Sequence, residues 1–201
     1  MLYLKKCAYS EGDKRVSHRN AVRAEAHKLL RSALLQNGIP ESKQEFVYNK
    51  YGKPSLKDDC GYHFNISHCE ELAVCATATQ PIGADAEKIR KFPEHVLRRC
   101  FTEREIKFVR ENSSPETAFF QLWTLKESLV KATGKGLSYP LKKAEFIIEN
   151  NHITVNSEYN LSVLQIIIDK EFICSVCSSN IFNNQVYYRS FEEKFSFDHL
   201  N

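Results

Sequence analysis

Apolar positions first recur with a helical period between residues 18 and 36. Val22, Ala26, Leu29, Leu30, Ala33 and Leu34 fall at steps of three and four. Asn37-Gly38 followed by Pro40 stops that helix. Before it, Leu2, Tyr3 and Leu4 suit a short opening strand. After it, 44–49, 63–66, 72–79 and 82–86 read as strands. The stretch 51–61 (YGKPSLKDDCG) is rich in turn formers and reads as a connection, and Gln80-Pro81 reads as a turn.

The second half follows the same order. Pro93 can open a short helix through Arg99. Thr102 and Glu105 are spaced as a capping box, each side chain meeting the other's free backbone N–H. A longer helix starts after Ser114, with Pro115 at its first position and an apolar face of Phe119, Leu122, Trp123 and Val130, and Gly134 closes it. Strands are expected over 145–148, 152–155, 161–168, 172–177 and 185–189. Two successive helix-then-strand halves imply an α+β chain of two related lobes, 1–88 and 89–201, joined near 87–93.

Composition narrows this picture. With 42% hydrophobic and 26% charged residues among 201, the chain can bury a core. A net charge of +3 and the lack of a basic stripe disfavour nucleic acid, while an acidic or phosphorylated partner is not opposed. Neither a signal-type apolar run in the first residues nor a membrane-length apolar segment is present, so a soluble cytoplasmic protein is expected. Seven cysteines, scattered and odd in number, read as reduced thiols. Cys174 and Cys177 form a C-x-x-C, but on a strand residues three apart leave by opposite faces and cannot share a metal.

Three stretches could carry chemistry. In PIGADAEKI, Asp85 and Glu87 lie two apart on an expected strand, so both carboxylates leave one face. Their repulsion is relieved by a cation, and Mg²⁺ takes one or two carboxylates while leaving positions for phosphate oxygens. Gly83 beside them admits a close approach by backbone or ligand. In LWTLKESLVKATGKGLS, Glu127 and Lys131 share a helix face, with Lys126 beside them and a flexible Gly-Lys-Gly after them. Gly52-Lys53-Pro54 is a stiff basic turn, and Asn65, Ser67 and His68 offer polar groups along the following strand. Each stretch alone also has an ordinary reading: a solvated strand face, a surface salt bridge, a structural histidine and a Pro-turn.

Together, and in this order, they resemble one family. Y-G-K-P (51–54), F-N-I-S-H (64–68), P-I-G-x-D-x-E (81–87) and W-x-x-K-E-x-x-x-K-x-x-G-x-G-L (123–137) are similar to the motifs of 4′-phosphopantetheinyl transferases of the surfactin-synthetase-activating type. The resemblance spans about residues 44–140. It implies a pseudo-dimer of two similar lobes, active as a monomer, with coenzyme A in the cleft between them. It also implies a holo-carrier-protein synthase, moving the 4′-phosphopantetheine arm onto a serine of an apo acyl or peptidyl carrier protein and releasing 3′,5′-adenosine bisphosphate.

Carried over, Asp85, Glu87 and Glu127 hold Mg²⁺, with Mn²⁺ as a substitute. Glu127 is the candidate base and Lys131 neutralises the leaving group. Lys53, Pro54, Asn65, Ser67, His68 and Lys126 join Lys131 in binding coenzyme A, and Arg19, Arg23 or Lys28 supplies a further phosphate contact. The carrier's acidic helix is expected to dock on the basic residues of 92–112. A non-catalytic coenzyme-binding module is the rival reading, and it predicts loss of at least one of Asp85, Glu87, Glu127 or Lys131; all four are present. The short trimeric carrier-protein synthases are about half this length. Three departures stand out: Ala84 and Ala86 flank Asp85 where larger aliphatics are expected, Cys69-Glu70-Glu71 replaces a Ser-Gly turn, and the second lobe is short for the type.

Overall fold

The computed structural model describes residues 1–7, 15–179 and 186–189. Strand β1 (Leu2–Lys6) precedes helix α1 (Arg15–Gln36), and the short strands β2 (Phe46–Tyr48) and β3 (Pro54–Leu56) pair as a hairpin. Next come β4 (His63–Cys69), β5 (Leu72–Ala78) and β6 (Ile82–Lys88), then helices α2 (Glu94–Cys100), α3 (Glu103–Glu111) and α4 (Pro115–Thr133). Strands β7 (Glu145–Glu149), β8 (His152–Asn156), β9 (Ser162–Ile168), β10 (Phe172–Ser178) and β11 (Val186–Arg189) complete the order.

Two sheets lie between two helices. Sheet one has the order β1-β5-β4 and sheet two β11-β9-β10-β6, all neighbours antiparallel except β11 beside β9. Alternation in β5 fixes the layers: Leu72, Val74 and Ala76 meet sheet two, while Ala73 and Cys75 meet α1. In β10, Phe172, Cys174 and Val176 face sheet one, and Ile173 and Cys177 face α4. Strands buried on both faces explain why 72–78 and 172–178 read as nearly continuous apolar runs. Cys174 and Cys177 thus sit in different cores as free thiols, and burial pushes the Cys177 thiol up to about 12.

The capping box forms as expected, Thr102 Oγ1 accepting from the Glu105 N–H and Glu105 Oε2 from the Thr102 N–H. Pro115 opens α4, and Gly134, with φ +66°, closes it in the left-handed conformation. Pro93 stands one residue before α2 rather than inside it. The turn-rich reading of 51–61 missed β3, whose three residues lack any alternation long enough to register and gain their order by pairing with β2. No helix among the described residues is long and apolar enough to cross a membrane.

The sheets meet where β4 runs beside β6. The Ala84 N–H donates to Asn65 Oδ1 (2.8 Å) and the Ala86 N–H to Ser67 Oγ (3.2 Å). Small side chains at 84 and 86, both almost fully buried, let the two strands come this close. Strand β6 therefore forms ladder bonds with β10 and donates two backbone N–H groups to side chains of β4.

Candidate active site

On β6 the alternate residues Gly83, Asp85 and Glu87 turn toward α4. A Cβ at Gly83 would stand 2.1 Å from the Ser128 carbonyl oxygen and 2.2 Å from the Ala132 nitrogen, so α4 lies directly on the strand. That contact carries Glu127 and Lys131 to Asp85. Lys131 Nζ donates to Asp85 Oδ1 (2.6 Å) and to Ser67 Oγ (3.2 Å), and Ser67 Oγ also lies 3.3 Å from Asp85 Oδ1. Lys131 thus pairs across the seam to Asp85, not along its own helix to Glu127.

The electrostatics of the cluster follow from its crowding. Burial raises the Glu127 carboxyl to about 7, the nearby Asp85 charge adding to the effect and Lys131 opposing it. Burial and Asp85 raise Glu87 as well, against the pull of Arg90 and Lys131. Burial works to depress Lys131, but Asp85, Glu127 and Glu87 outweigh it and its pKa is raised. Asp85 is 6% exposed, and its second oxygen, Oδ2, is buried without a hydrogen-bond partner among the described residues. An orphaned carboxylate oxygen beside two carboxyls held above their ordinary range suits a hard divalent cation. The donor set fits Mg²⁺, although no three His, Cys, Asp or Glu side chains among the described residues form a ready-made metal cage.

Two cavities open on this cluster. One, of about 270 Å³, is lined by Tyr51, Lys53, Pro54, Glu127, Lys131 and Gly136. The other, of about 480 Å³, is lined by Arg19, His68, Glu70, Glu71, Glu87 and Arg90 among others. Burial lowers the pKa of His68, and the charges of Arg23 and Arg19 on α1 lower it further; Arg19 lines the same cavity as the histidine. Lys28, the third basic candidate, is paired instead with Glu25, which also binds Lys5 of β1. Glu70 occupies the turn between β4 and β5 with φ +33°, a conformation glycine takes more readily, and reaches Lys88 (3.4 Å).

Of the residues singled out in the sequence, Ser67, Asp85, Glu127 and Lys131 come together, Glu87 borders them, and Asn65 ties β6 to β4. Lys53 and Pro54 line the first cavity and His68 the second. Lys126 is not brought to either. It is fully buried, with Nζ donating to Glu105 Oε2 (2.9 Å) and to the Leu141 and Ala144 carbonyls. Arg90 escaped the sequence reading: its guanidinium meets Glu87 (2.8 Å) and lies over the Phe120 ring, three residues beyond a motif that gives no hint of it. Asn49 escaped too, although an Asn just before a Gly-containing turn is a recognisable turn signal.

Residues 81–177, which hold Asp85, Glu87, Glu127 and Lys131, match the model of the 4′-phosphopantetheinyl transferase superfamily. The chain is 35% identical over 157 residues to 4′-phosphopantetheinyl transferase gsp of Aneurinibacillus migulanus, covering 75% of this chain and 65% of that one. The chain belongs to the 4′-phosphopantetheinyl transferase superfamily. It is 37% identical over 116 residues to the superfamily's Sfp of Bacillus subtilis, covering 56% of this chain and 52% of that one. A mouse member, L-aminoadipate-semialdehyde dehydrogenase-phosphopantetheinyl transferase, is 32% identical over 136 residues, 60% of this chain and 43% of that one. The chain thus spans about two thirds or less of the length of these three superfamily relatives.

Proposed function

We propose that this chain transfers the 4′-phosphopantetheine group of coenzyme A to a serine of an apo carrier protein. The observation that carries the reading is the meeting of Asp85, Glu127 and Lys131, with Lys131 bonded at 2.6 Å to a residue 46 positions earlier in the chain. Superfamily membership and the names of the relatives support it. The division into lobes at 88 and 89, the monomeric state and cytoplasmic location belong to the same proposal.

Asp85, Glu87 and Glu127 would hold Mg²⁺, which supplies charge neutralisation for the coenzyme pyrophosphate. The residues of the chain do the rest. Lys131 sets an ammonium beside the phosphates, and His68 with Arg19 or Arg23 supplies further donors at the second cavity. Glu127 takes the proton of the acceptor serine, a role supported by its lying on the wall of the first cavity. The serine oxygen bonds to the β-phosphorus, the bond from that phosphorus to the bridging oxygen breaks, and the electron pair leaves on 3′,5′-adenosine bisphosphate. Positioning and fixed charge account for most of the acceleration in such a transfer.

Intact-protein mass spectrometry of apo acyl and peptidyl carrier proteins, incubated with this protein, coenzyme A and Mg²⁺, tests the reading. A phosphopantetheine-sized gain is expected, abolished by Glu127→Gln and by EDTA. Coenzyme A binding without any gain across the carriers would reduce the protein to a binding module.

A further inference from the structure

Lys53 was expected to meet a coenzyme phosphate, and its ammonium is already engaged elsewhere. Its Nζ donates to the Ile82 carbonyl (3.1 Å) and to the Ala132 carbonyl (3.0 Å). Ile82 is the first residue of β6, and Ala132 lies in the last turn of α4, where helix carbonyls lack intrahelical donors and the helix end is negative. Burial lowers the Lys53 pKa to about 8.

The turn that presents Lys53 is itself braced on the same helix end. Asn49 Oδ1 accepts from the Tyr51 and Lys53 N–H groups (both 2.9 Å), while its Nδ2 donates to the Gly134 carbonyl (3.0 Å). The Gly52 N–H closes the turn on the Asn49 carbonyl (2.9 Å). One rigid five-residue turn therefore sets two donors on carbonyls at the end of α4, a residue on either side of Thr133. A phosphate approaching this ammonium would also approach the two carbonyls that hold it, so the site disfavours an anion.

We propose that Lys53 is a positioning residue: with Asn49 it pins the 49–53 turn to the last turn of α4 and to the start of β6. The pin sets the wall of the first cavity and holds Lys131, the residue before Ala132, at Asp85. Its effect on turnover rests on the transfer reading above; its effect on the helix end does not.

The test compares wild type, Lys53→Met, Asn49→Ala and the double variant as full chains. Three readouts are taken: coenzyme A affinity by calorimetry at two salt concentrations, amide hydrogen exchange over 130–134, and kcat with a carrier protein. Lys53→Met is expected to speed exchange at the helix end by about tenfold or more. It should lower kcat by about ten- to a hundredfold, as a displaced reacting group does. The coenzyme Kd should rise to the same modest extent in Lys53→Met and Asn49→Ala as Lys131 shifts, while its salt dependence stays near wild type in both, because no charge that meets a phosphate is removed. Asn49→Ala, which removes no charge, should move exchange and kcat the same way, and the double variant should fall short of the sum. A shallower salt dependence of the coenzyme Kd in Lys53→Met but not in Asn49→Ala, or unchanged exchange in both single variants, would overturn the assignment. If wild type neither binds coenzyme A nor modifies a carrier, the transfer reading fails while the exchange comparison still decides the pin.

Discussion

At Gly83 the absence of a side chain sets how near α4 can lie to β6. The atoms a Cβ would strike, the Ser128 carbonyl oxygen at 2.1 Å and the Ala132 nitrogen at 2.2 Å, are backbone and cannot rotate away. Gly83→Ala must therefore push the helix off the strand, taking Glu127 and Lys131 with it. Overpacking of this kind costs about 1–3 kcal/mol and sometimes more. Thermal unfolding of the variant should show a clearly lowered Tm, and its transfer rate should drop further than its stability explains. A Tm at the wild-type value would mean that the helix is not seated as described. The sequence signalled that something approaches Gly83 closely; that the something is the backbone of a helix 45 residues later required the structure. The same limit applies to Asp85, whose partner on the strand face was visible as a type of ligand but not as Lys131.

Helix α4 shows at the scale of an element why neighbouring residues in one motif do different work. Successive residues of a helix point about 100° apart, so Lys126 cannot share the cleft face with Glu127 and Lys131. It turns into the core of its own half, where all three of its protons find acceptors. Glu105 is equally committed: it closes the capping box of α3, accepts from Lys126 and accepts from the Phe146 N–H (2.9 Å). One buried ion pair thus joins α3, α4 and the start of β7. Burial lowers the Lys126 pKa and Glu105 counters it. Lys126→Met would leave Glu105 charged and unpaired in the interior, at a cost of about 3–5 kcal/mol. Lys126→Met combined with Glu105→Gln keeps the shape and removes the stranded charge, but Gln has one acceptor oxygen for the two N–H groups of Thr102 and Phe146, so it should regain only part of that loss. Urea unfolding of the two variants measures this; a single variant as stable as wild type would contradict the pairing. The capping box was legible because it is local, whereas the use of its glutamate by Lys126 joins residues 21 apart.

Across the whole molecule, what could be read in advance was whatever a short window determines: helix periods, caps, the strand alternation that sends Cys174 and Cys177 to opposite cores, and four motifs in order. The seam between the sheets could not be read, because it is made by Asn65 and Ser67 bonding to backbone of a strand that pairs with β10. Surface charge is a further case. Five basic residues between 92 and 112 were equal candidates for docking an acidic carrier surface, and the structure separates them. Arg104 pairs with Glu149, Lys107 with Glu111 and Arg110 with Glu94, whereas Arg98 and Arg99 on α2 are exposed and make no ion pair among the described residues. Charges already paired on the surface have little left to offer a partner; unpaired arginines attract an acidic face and raise its rate of encounter. Arg98→Glu with Arg99→Glu should therefore raise the KM for the carrier protein and flatten its dependence on salt, while the KM for coenzyme A stays near its wild-type value. The same reversal at Arg104 and Lys107 should have the smaller effect. Steady-state kinetics with each substrate varied in turn separates the outcomes: equal changes for both substrates would place Arg98 and Arg99 at the coenzyme instead, and no change for either would leave them as ordinary solvated charges.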